Sequence, residues 1–271
     1  MLVNFTKMHG LGNDFIIIDN IDEKLSLSSE KIKALADRKF GIGFDQLLLV
    51  QNSTSVDADF RYIIYNSDGS EVAQCGNGAR CFARFVKENK LSTKNPITVE
   101  TSEGLMHLLI NDDGTVKVDM GKPNFSPERI PLSINDESLF YSIEGYHLGA
   151  LSIGNPHCVI TLDEISSIDI ENIAIKIQQS ELLPEGANIG FMQIVSPTEI
   201  NLRVYERGAG ETMACGSGAC AAVAHGVNIG KLENTVEVNL TGGRAIIEYN
   251  RNGHVFLLGP AEFVFDGKIE I

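Results

Sequence analysis

The chain has 271 residues, enough for one large domain or for two domains of ordinary size. Hydrophobic residues make up 43% of it, as in a globular protein, but no run of 18 apolar residues indicates a membrane span. The formal net charge of −14 argues against a nucleic-acid partner, because binding to phosphates needs a basic face.

Short β-rich segments, separated by turn sequences, run through the chain. In the first half the clearest of them are FIIID (15–19), QLLLV (46–50), FRYIIY (60–65), ITVET (97–101) and TVKVDM (115–120). The Asp-Gly pair of NDDGTV (111–116) and the Asn-Gly pair of NRNGHV (250–255) predict hairpin turns. The sequence therefore predicts a fold rich in sheet.

The clearest helical segments follow two similar glycine-rich turns, CGNGA (75–79) and CGSGA (215–219). After the first turn, RCFARFVKENK (80–90) has apolar residues at helical spacing and ends in basic residues, which suit a helix C-terminus. We expect each half of the chain to form a mixed sheet curled around a helix that starts just after the cysteine.

The two glycine-rich turns belong to an internal repeat, since each has a glutamate four residues before its cysteine. FRYIIYNSDGSE (60–71) aligns with INLRVYERGAGE (200–211) at the same offset as the cysteines. The polar residues that align in the two halves are Asn13 with Asn155, Gln46 with Asn188, and Asn66 with Glu206. The repeat predicts two diverged halves of roughly 120 to 140 residues, each of ordinary domain size.

A cysteine at the start of a helix has a distinctive chemistry. Glycine lets the backbone turn tightly and lets a substrate come close. The helix behind it directs N–H groups and a positive dipole end toward the turn, which lowers the pKa of a thiol and binds a carboxylate. If the halves face each other, Cys75 and Cys215 approach one carbon from opposite sides. One thiolate then removes a proton and the other thiol delivers one, which inverts a stereocentre.

Other interpretations of the cysteines stay open at this point. The five cysteines are Cys75, Cys81, Cys158, Cys215 and Cys220. Their number is odd, and MLVNFTKMHG (1–10) does not resemble a signal peptide, so we expect reduced thiols in a cytoplasm. Their spacing disfavours structural zinc, which prefers two to four residues between paired ligands. GAGETMACGSG (208–218) fails the dinucleotide-binding spacing. A Cys-Gly turn without chemistry, or a duplication without shared function, is the remaining alternative.

Six motifs carry a resemblance that covers nearly the whole chain. They are MHGLGNDF (8–15), GIGFDQ (41–46), YNSDGSEVAQCGNGARC (65–81), GNPHCV (154–159), ANIGF (187–191) and ERGAGETMACGSGAC (206–220). In this order they resemble the diaminopimelate epimerase family. The resemblance implies an α+β fold of two similar pseudo-symmetric domains, each a curled, mostly antiparallel sheet around a central helix. The active site is expected in the cleft between them. The expected domains are 1–120, completed by the strand 262–271, and 121–261.

The resemblance also implies the activity and the site. It implies an isomerase of lysine biosynthesis that interconverts LL- and meso-diaminopimelate without a cofactor or metal. Cys75 and Cys215 are expected to be the base and the acid. His157 and Glu206 are expected to tune the pKa values of the two thiols. The backbone cradle for the substrate is expected at Gly76, Asn77, Gly216 and Ser217. The pocket side chains are expected to be Asn13, Gln46, Asn66, Asn155, Asn188, Glu206 and Arg207.

The repeat and the resemblance agree on how the pocket loses its symmetry. Asn66 in the first half is replaced by Glu206 in the second, and Arg207 stands opposite Ser67. An arginine can grip a carboxylate with two hydrogen bonds, and a glutamate can hold an ammonium group. A substrate with a second amino-acid end needs both groups. Proline and hydroxyproline racemases would also use two cysteines, but their substrates lack that end.

The remaining expectations concern assembly and neighbouring residues. Members of the family often have a tyrosine in the C-terminal strand that contacts a second subunit, and here the matching residue in FVFDGKI (263–269) is Phe265. The resemblance therefore implies a homodimer with an apolar contact at this place. We interpret His9 and Asp14 as structural and expect Cys158 to pack in a strand. A thiol- or metal-binding module without activity is the alternative from another class.

Overall fold

The computed structural model describes residues 1–73 and 75–271, which divide into two compact units. Unit 1 consists of Met1–Val118 and Gly259–Ile271, and unit 2 is the continuous segment Asp119–Leu258. Among the described residues, no helix is both long and apolar enough to cross a membrane.

Both units are built mainly of short strands. The elements from the N-terminus to the middle of the chain are β1 (Leu2–Gly10), β2 (Asn13–Asp19), α1 (Ser29–Ala36), β3 (Gln46–Asn52), β4 (Phe60–Asn66), β5 (Glu71–Val72), α2 (Gly76–Glu88), β6 (Ile97–Thr101), β7 (Gly104–Ile110) and β8 (Val116–Asp119). Those that follow are β9 (Tyr141–Ile143), β10 (Tyr146–Ser152), β11 (Pro156–Thr161), α3 (Ile170–Gln178), β12 (Asn188–Ser196), β13 (Glu199–Glu206), β14 (Gly210–Thr212), α4 (Gly216–Asn228), β15 (Thr235–Leu240), β16 (Gly243–Tyr249), β17 (Val255–Gly259) and β18 (Glu262–Glu270).

The strands of unit 1 pair mostly antiparallel. β1 pairs antiparallel with β2 on one side and with β18 on the other. The pairs β2–β3 and β4–β6 are parallel, whereas β3–β4, β6–β7 and β7–β8 are antiparallel. The strand from the far end of the chain thus completes the sheet of unit 1.

Unit 2 repeats this order of pairing. β10 pairs antiparallel with β9 and β11, and the parallel pairs are β11–β12 and β13–β15. The pairs β12–β13, β15–β16 and β16–β17 are antiparallel, like their counterparts in unit 1. The predicted α+β fold with two similar, mostly antiparallel sheets is therefore confirmed, as are both hairpin turns.

The second helix of each unit lies inside its sheet. Ten of the thirteen residues of α2 and eleven of the thirteen residues of α4 are buried. A helix buried on nearly all sides must be surrounded rather than laid on a face. The sequence of α4 suits this place because it consists largely of alanine, glycine and valine. Both helices begin directly after the cysteine, as predicted.

The shorter helices α1 and α3 were not predicted. Each begins with a side chain that accepts a hydrogen bond from the first turn, Ser28 for α1 and Asp169 for α3. Each buries only three residues, among them Ile32 in α1 and Ile177 in α3. They occupy matched positions in the two halves, so the repeat includes them as well.

Candidate active site

Cys75 is the residue that caps the N-terminus of α2. Its backbone is extended (φ −147°, ψ 111°), and its Sγ accepts a hydrogen bond of 3.4 Å from the N–H of Gly78. The hydroxyl of Tyr62 donates to the carbonyl oxygen of Cys75 at 3.2 Å. Glycine fits at position 78, whereas a Cβ there would lie 2.4 Å from that hydroxyl oxygen. The turn thus holds the thiol at the positive end of a buried helix.

Cys215 has the same place at the start of α4. Its backbone is also extended (φ −114°, ψ 107°), and its Sγ accepts from the N–H of Gly218 at 3.4 Å. A Cβ on Gly218 would lie 3.1 Å from Val204 and 3.2 Å from the Cys215 sulfur. Cys215 is 4% exposed, whereas Cys75 is only half-buried. The two thiols therefore share a backbone setting but differ in their access to solvent.

In unit 1 the amide of Asn13 joins Cys75 to the helix start. The oxygen Oδ1 of Asn13 lies 3.8 Å from the Sγ of Cys75 and accepts a 3.3 Å hydrogen bond from Nδ2 of Asn77. The other end of the amide, Nδ2, donates to Asp45 at 2.9 Å. Three of the residues expected at the site, Asn13, Cys75 and Asn77, are thus in direct contact.

Gln46 and Asn66 form a second polar pair in unit 1. They face each other across β3 and β4, and Nε2 of Gln46 donates to Oδ1 of Asn66 at 2.9 Å. Nδ2 of Asn66 donates to Ser70 at 3.2 Å. The oxygen Oε1 of Gln46 is buried and has no hydrogen-bond partner among residues 1–73 and 75–271. A buried acceptor without a partner is costly, so this oxygen suits a ligand donor such as an ammonium group.

In unit 2 a chain of contacts runs from His157 to Cys215. Nε2 of His157 lies 3.0 Å from Oδ1 of Asn155, and Nδ2 of Asn155 donates to the hydroxyl of Ser217 at 3.4 Å. That hydroxyl lies 3.6 Å from the Sγ of Cys215. Burial, together with the charge of Arg207, lowers the pKa of His157 to about 3. The imidazole is therefore neutral, and Asn155 and Ser217 lie between it and the sulfur of Cys215.

Asn188 supports the loop that carries Arg207. Its Oδ1 accepts from the backbone N–H of Arg207 at 2.9 Å, and its Nδ2 donates to the carbonyl of Pro156 at 3.3 Å. The guanidinium of Arg207 is exposed and donates to the carbonyl of Glu185 at 2.8 Å. The side chain of Asn188 thus has two backbone partners within unit 2, and it orders the backbone beside Arg207.

The electrostatics of Cys215 differ from the sequence expectation. A helix start lowers the pKa of a thiol, and here Ser217 and the N–H of Gly218 act in that direction. Burial nevertheless raises the pKa of Cys215 well above its ordinary value, and the carboxylate of Glu206 raises it further. Glu206 is held by the hydroxyl of Thr212, which donates to Oε1 at 2.5 Å. Removal of the sulfur from water outweighs the helix dipole, so Cys215 is a thiol at neutral pH.

The other three cysteines lie in the apolar interior. Cys81 and Cys220 are fully buried within α2 and α4, and Cys158 is fully buried in β11, as the sequence predicted. Burial raises the pKa of Cys158 to about 12 and also raises the pKa of Cys81. Across residues 1–73 and 75–271, no group of three or more His, Cys, Asp or Glu side chains could hold a metal ion.

The charged groups around Asn13 form a cluster that the sequence did not reveal. Lys7 donates to Asp14 at 2.5 Å, and Arg38 donates to both Asp14 and Asp45 at 2.7 Å. Burial alone would raise the pKa of Asp14, but the hydrogen bonds from Arg38 and Lys7 lower it to about 2. Asp45 precedes Gln46 in the GFDQ segment, and only its place beside a predicted site residue could have marked it.

Solved structures of distant relatives have the same fold as this chain. A hydroxyproline epimerase from Agrobacterium vitis, bound to trans-4-hydroxy-L-proline, matches with a TM-score of 0.72 at 11% identity. The match covers 99% of this chain and 92% of that one. A phenazine biosynthesis protein from Bacillus anthracis matches over 100% of both chains, with a TM-score of 0.71 and 16% identity. The chain thus has a fold that amino-acid epimerases use.

Sequence comparison identifies the family within that class. The family model for diaminopimelate epimerase matches residues 5–126 and 149–264. A diaminopimelate epimerase from Vesicomyosocius okutanii, subspecies Calyptogena okutanii (strain HA), is 62% identical over 271 residues, which is 100% of either chain. The chain belongs to the diaminopimelate epimerase family, a family of isomerases.

Proposed function

We propose that the chain interconverts LL-diaminopimelate and meso-diaminopimelate, as an enzyme of lysine biosynthesis. The observation that carries this proposal is the pair of cysteines, each capping the buried helix of its own unit with the same contacts. Family membership and the 62% identical relative support the substrate. The reaction inverts one of the two α-carbons of the substrate.

The proposed mechanism uses the two thiols as base and acid. We propose that Cys75 and Cys215 act on the same α-carbon of one substrate molecule. The thiolate of one cysteine removes the α-proton, and the thiol of the other delivers a proton to the opposite face of the carbanion. In the reverse direction the roles exchange. The electron pair stays on the substrate throughout, so the step needs no oxidant, reductant or cofactor.

The starts of the two helices are the proposed cradle for the reacting carboxylate. A helix has no internal acceptors for its first N–H groups, and Gly76 and Asn77 in α2, with Gly216 and Ser217 in α4, occupy those positions. As the α-proton leaves, negative charge spreads onto the carboxylate. The helix starts therefore stabilise the transition state more than the bound substrate.

The environment of Cys215 supports its role as the proton donor of the resting enzyme. Burial and Glu206 raise the pKa of its thiol, so the sulfur carries a proton at neutral pH. Cys75 is less buried and is the proposed base for the first half-reaction. Its protonated form has an acceptor within reach, the amide oxygen of Asn13 at 3.8 Å.

Residues of both units are proposed to bind the rest of the substrate. The buried oxygen of Gln46, which has no partner in the part of the chain that the structure describes, suits an ammonium group of the substrate. Arg207 has an exposed planar fork that suits the distal carboxylate, and Glu206 carries charge complementary to an ammonium group. Asn66, Asn155 and Asn188 complete the proposed pocket. Such a distal clamp fits an amino acid with a second amino-acid end.

The direct test incubates the purified protein with LL-diaminopimelate and separates the stereoisomers by chiral chromatography. We expect conversion to a mixture with the meso form, and no inversion of proline or trans-4-hydroxyproline under the same conditions. Cys75→Ala and Cys215→Ala should each abolish inversion, whereas Cys158→Ala, which alters a buried cysteine in a strand, should retain it. Inversion of proline but not of diaminopimelate would overturn the proposal.

Turnover in deuterated water tests the separate roles of the two thiols. A thiol holds one proton and exchanges it with water when the site opens. Product should therefore carry deuterium from the first turnovers, while recovered substrate stays mostly unlabelled. A single base that swings between faces would carry the original hydrogen into the product, so early unlabelled product would refute two separate bases.

We propose that neither a metal ion nor an organic cofactor takes part. The proposed proton transfers are complete with the two thiols, and the charge of the carbanion is taken up by the helix starts. Activity should therefore survive exhaustive dialysis against a chelator. Loss of activity that added zinc or pyridoxal phosphate restores would contradict this part of the proposal.

We propose that the chain acts as a cytoplasmic homodimer that pairs through β18. Phe263, Val264 and Phe265 of that strand are exposed, and Phe265 retains 49% of its surface although its ring packs edge-on against Phe5 at 6.0 Å. Such a run of exposed apolar side chains favours a protein partner. Light scattering should find a dimer that Phe265→Asp weakens and that Val56→Asp, at a fully exposed position, leaves intact.

A further inference from the structure

Asn13 and Asn155 align in the repeat but present opposite ends of their amides to the helix starts. Asn13 directs its carbonyl oxygen toward the Sγ of Cys75, while its Nδ2 points away to Asp45. Asn155 directs its Nδ2 toward Ser217, while its oxygen faces His157. The two equivalent asparagines are therefore set in opposite senses, and each amide faces a different neighbour.

The neighbour of Asn13 can only accept hydrogen bonds. The carboxylate of Asp45 is itself held in place, since Oδ1 accepts from Arg38 at 2.7 Å and Oδ2 accepts from the N–H of Asp14 at 3.1 Å. The same Oδ2 accepts from Nδ2 of Asn13 at 2.9 Å. Because an ionised carboxylate has no proton to donate, the amide oxygen of Asn13 cannot face it.

We propose that Asp45 is a positioning residue that locks the amide of Asn13 with its oxygen toward the thiol of Cys75. Asn77 also donates to that oxygen, at 3.3 Å, but an amide can present either end to a partner. Asp45 is the neighbour whose chemistry permits one orientation alone. All of these contacts lie within unit 1.

The fold does not itself require a carboxylate at this place. The repeat aligns Asp45 with Ala187, and each of these residues directly precedes a strand, β3 or β12. Likewise the residue aligned with His157 is Phe15, a buried core residue. The two halves thus place different residues beside their aligned asparagines.

The locked oxygen has a chemical consequence for the sulfur. An acceptor beside Cys75 stabilises the S–H form, which is the form the sulfur takes after it removes a proton from a substrate. The contact therefore makes the thiolate a stronger base. This catalytic consequence rests on the proposed function, but the orientation itself does not.

The substitution Asp45→Asn tests the lock. Arg38 is a charged group that can only donate, so it should hold the oxygen of the new amide. The NH₂ end then faces Asn13 and the N–H of Asp14, and that N–H loses its acceptor. Asn13 should then turn over and present its own NH₂ group to the sulfur, which stabilises the thiolate. The pH at which the rate of alkylation of Cys75 by iodoacetamide is half-maximal should fall by roughly 0.5 to 1 unit. That shift corresponds to the free energy of one hydrogen bond.

The readout needs no turnover, because alkylation is followed by mass spectrometry of tryptic peptides. Trypsin cleaves after Arg61 and Arg80, so the peptide 62–80 contains Cys75 as its single cysteine. Tyr62 on β4 and Arg80 and Cys81 on α2, which also lie near Cys75, are unchanged by the substitution.

A matched variant separates the orientation of the amide from the loss of a charge. Asp14→Asn removes one negative charge from the same cluster but leaves Asp45 as an acceptor for Asn13. In 1 M potassium chloride, where distant charges are screened, Asp45→Asn should still shift the alkylation midpoint and Asp14→Asn should not. Equal midpoints in the two variants would overturn the proposal.

Kinetics supply a second measurement. If the protein inverts diaminopimelate, kcat of Asp45→Asn should fall roughly tenfold with little change in KM, as for one lost hydrogen bond in the transition state. If the alkylation midpoint of Cys75 shifts in Asp45→Asn but the parent protein has no epimerase activity, the proposed role of Asp45 stands and the proposed function is refuted. If Asp45→Asn fails to fold, Asp45→Ser, whose hydroxyl can also donate, replaces it, and an unchanged midpoint in that variant refutes the lock.

Discussion

Substitution of Gly78 by alanine would place a methyl group where the hydroxyl of Tyr62 now lies. The new Cβ would be 2.4 Å from that oxygen and 3.3 Å from the ring of Phe15. The tyrosine is buried and fixed by its hydrogen bond to Cys75, so it cannot move aside without losing that bond. The substitution therefore tests whether the turn before α2 is built around glycine.

The expected cost follows from three effects. Overpacking of a core costs about 1–3 kcal/mol, and the lost hydrogen bond costs about 0.5–1.5 kcal/mol. Alanine regains about 1 kcal/mol because it favours helix over glycine. The free energy of unfolding of Gly78→Ala, measured by denaturant titration of the full chain, should therefore fall by about 0.5–3.5 kcal/mol.

Two controls make the result specific. Tyr62→Phe removes the clashing oxygen, so in that background Gly78→Ala should change the stability by less than about 1 kcal/mol. Gly218→Ala, with contacts of 3.1–3.2 Å that side chains can relieve, should cost less than Gly78→Ala. Unaltered stability of Gly78→Ala, or a loss that Tyr62→Phe does not relieve, would refute this explanation of the turn.

Three further outcomes follow from the charges of unit 2. Because Glu206 raises the pKa of Cys215, Glu206→Gln should lower that pKa, and alkylation of Cys215 should begin at lower pH. Arg207→Lys keeps the charge but loses the planar fork. Transition-state stabilisation, calculated from kcat/KM for diaminopimelate, should therefore fall by about 2–3 kcal/mol. Near-normal kinetics would show that Arg207 does not bind the substrate. Burial, with the charge of His147, lowers the pKa of His225 from 6.5 to about 4, so the unfolded chain binds its proton first as the pH falls. Stability should thus decline from pH 6.5 toward 4, by up to about 1.4 kcal/mol per unit for this residue, and His225→Phe should flatten the decline in denaturant titrations.

Much of the fold could be predicted because local sequence and repeat agree. The apolar spacing after each Cys-Gly turn marks α2 and α4, and Asp-Gly and Asn-Gly mark the hairpins. Helices α1 and α3 were not predicted because they are short, with eight and nine residues. Each buries only three residues, which is too few to form a recognisable apolar pattern. The burial of Arg80 in α2 could not be predicted from the sequence either. Its guanidinium donates to the carbonyls of Gly76 and Pro260, and Pro260 is brought near only in the folded chain.

The chemistry of the candidate site was harder to foresee than its residues. The sequence locates Cys215 at a helix start but cannot tell how deeply its sulfur is buried, and burial decides the direction of its pKa. In the same way, Asn13 and Asn155 look equivalent in the repeat. Their amides face different neighbours, Asp45 and His157, which come from different places in the two halves.

The pairing of β1 with β18 sets the order in which the two units can be completed during synthesis. Unit 2 is one continuous segment, so the whole of it leaves the ribosome before β18 does. At typical translation rates, its 140 residues take about 10–30 s, and for that time β1 has an open edge. An open edge invites pairing with a wrong strand. The nascent chain is therefore at its most vulnerable while its second half folds, and chaperones that shield strand edges have their opportunity in that interval.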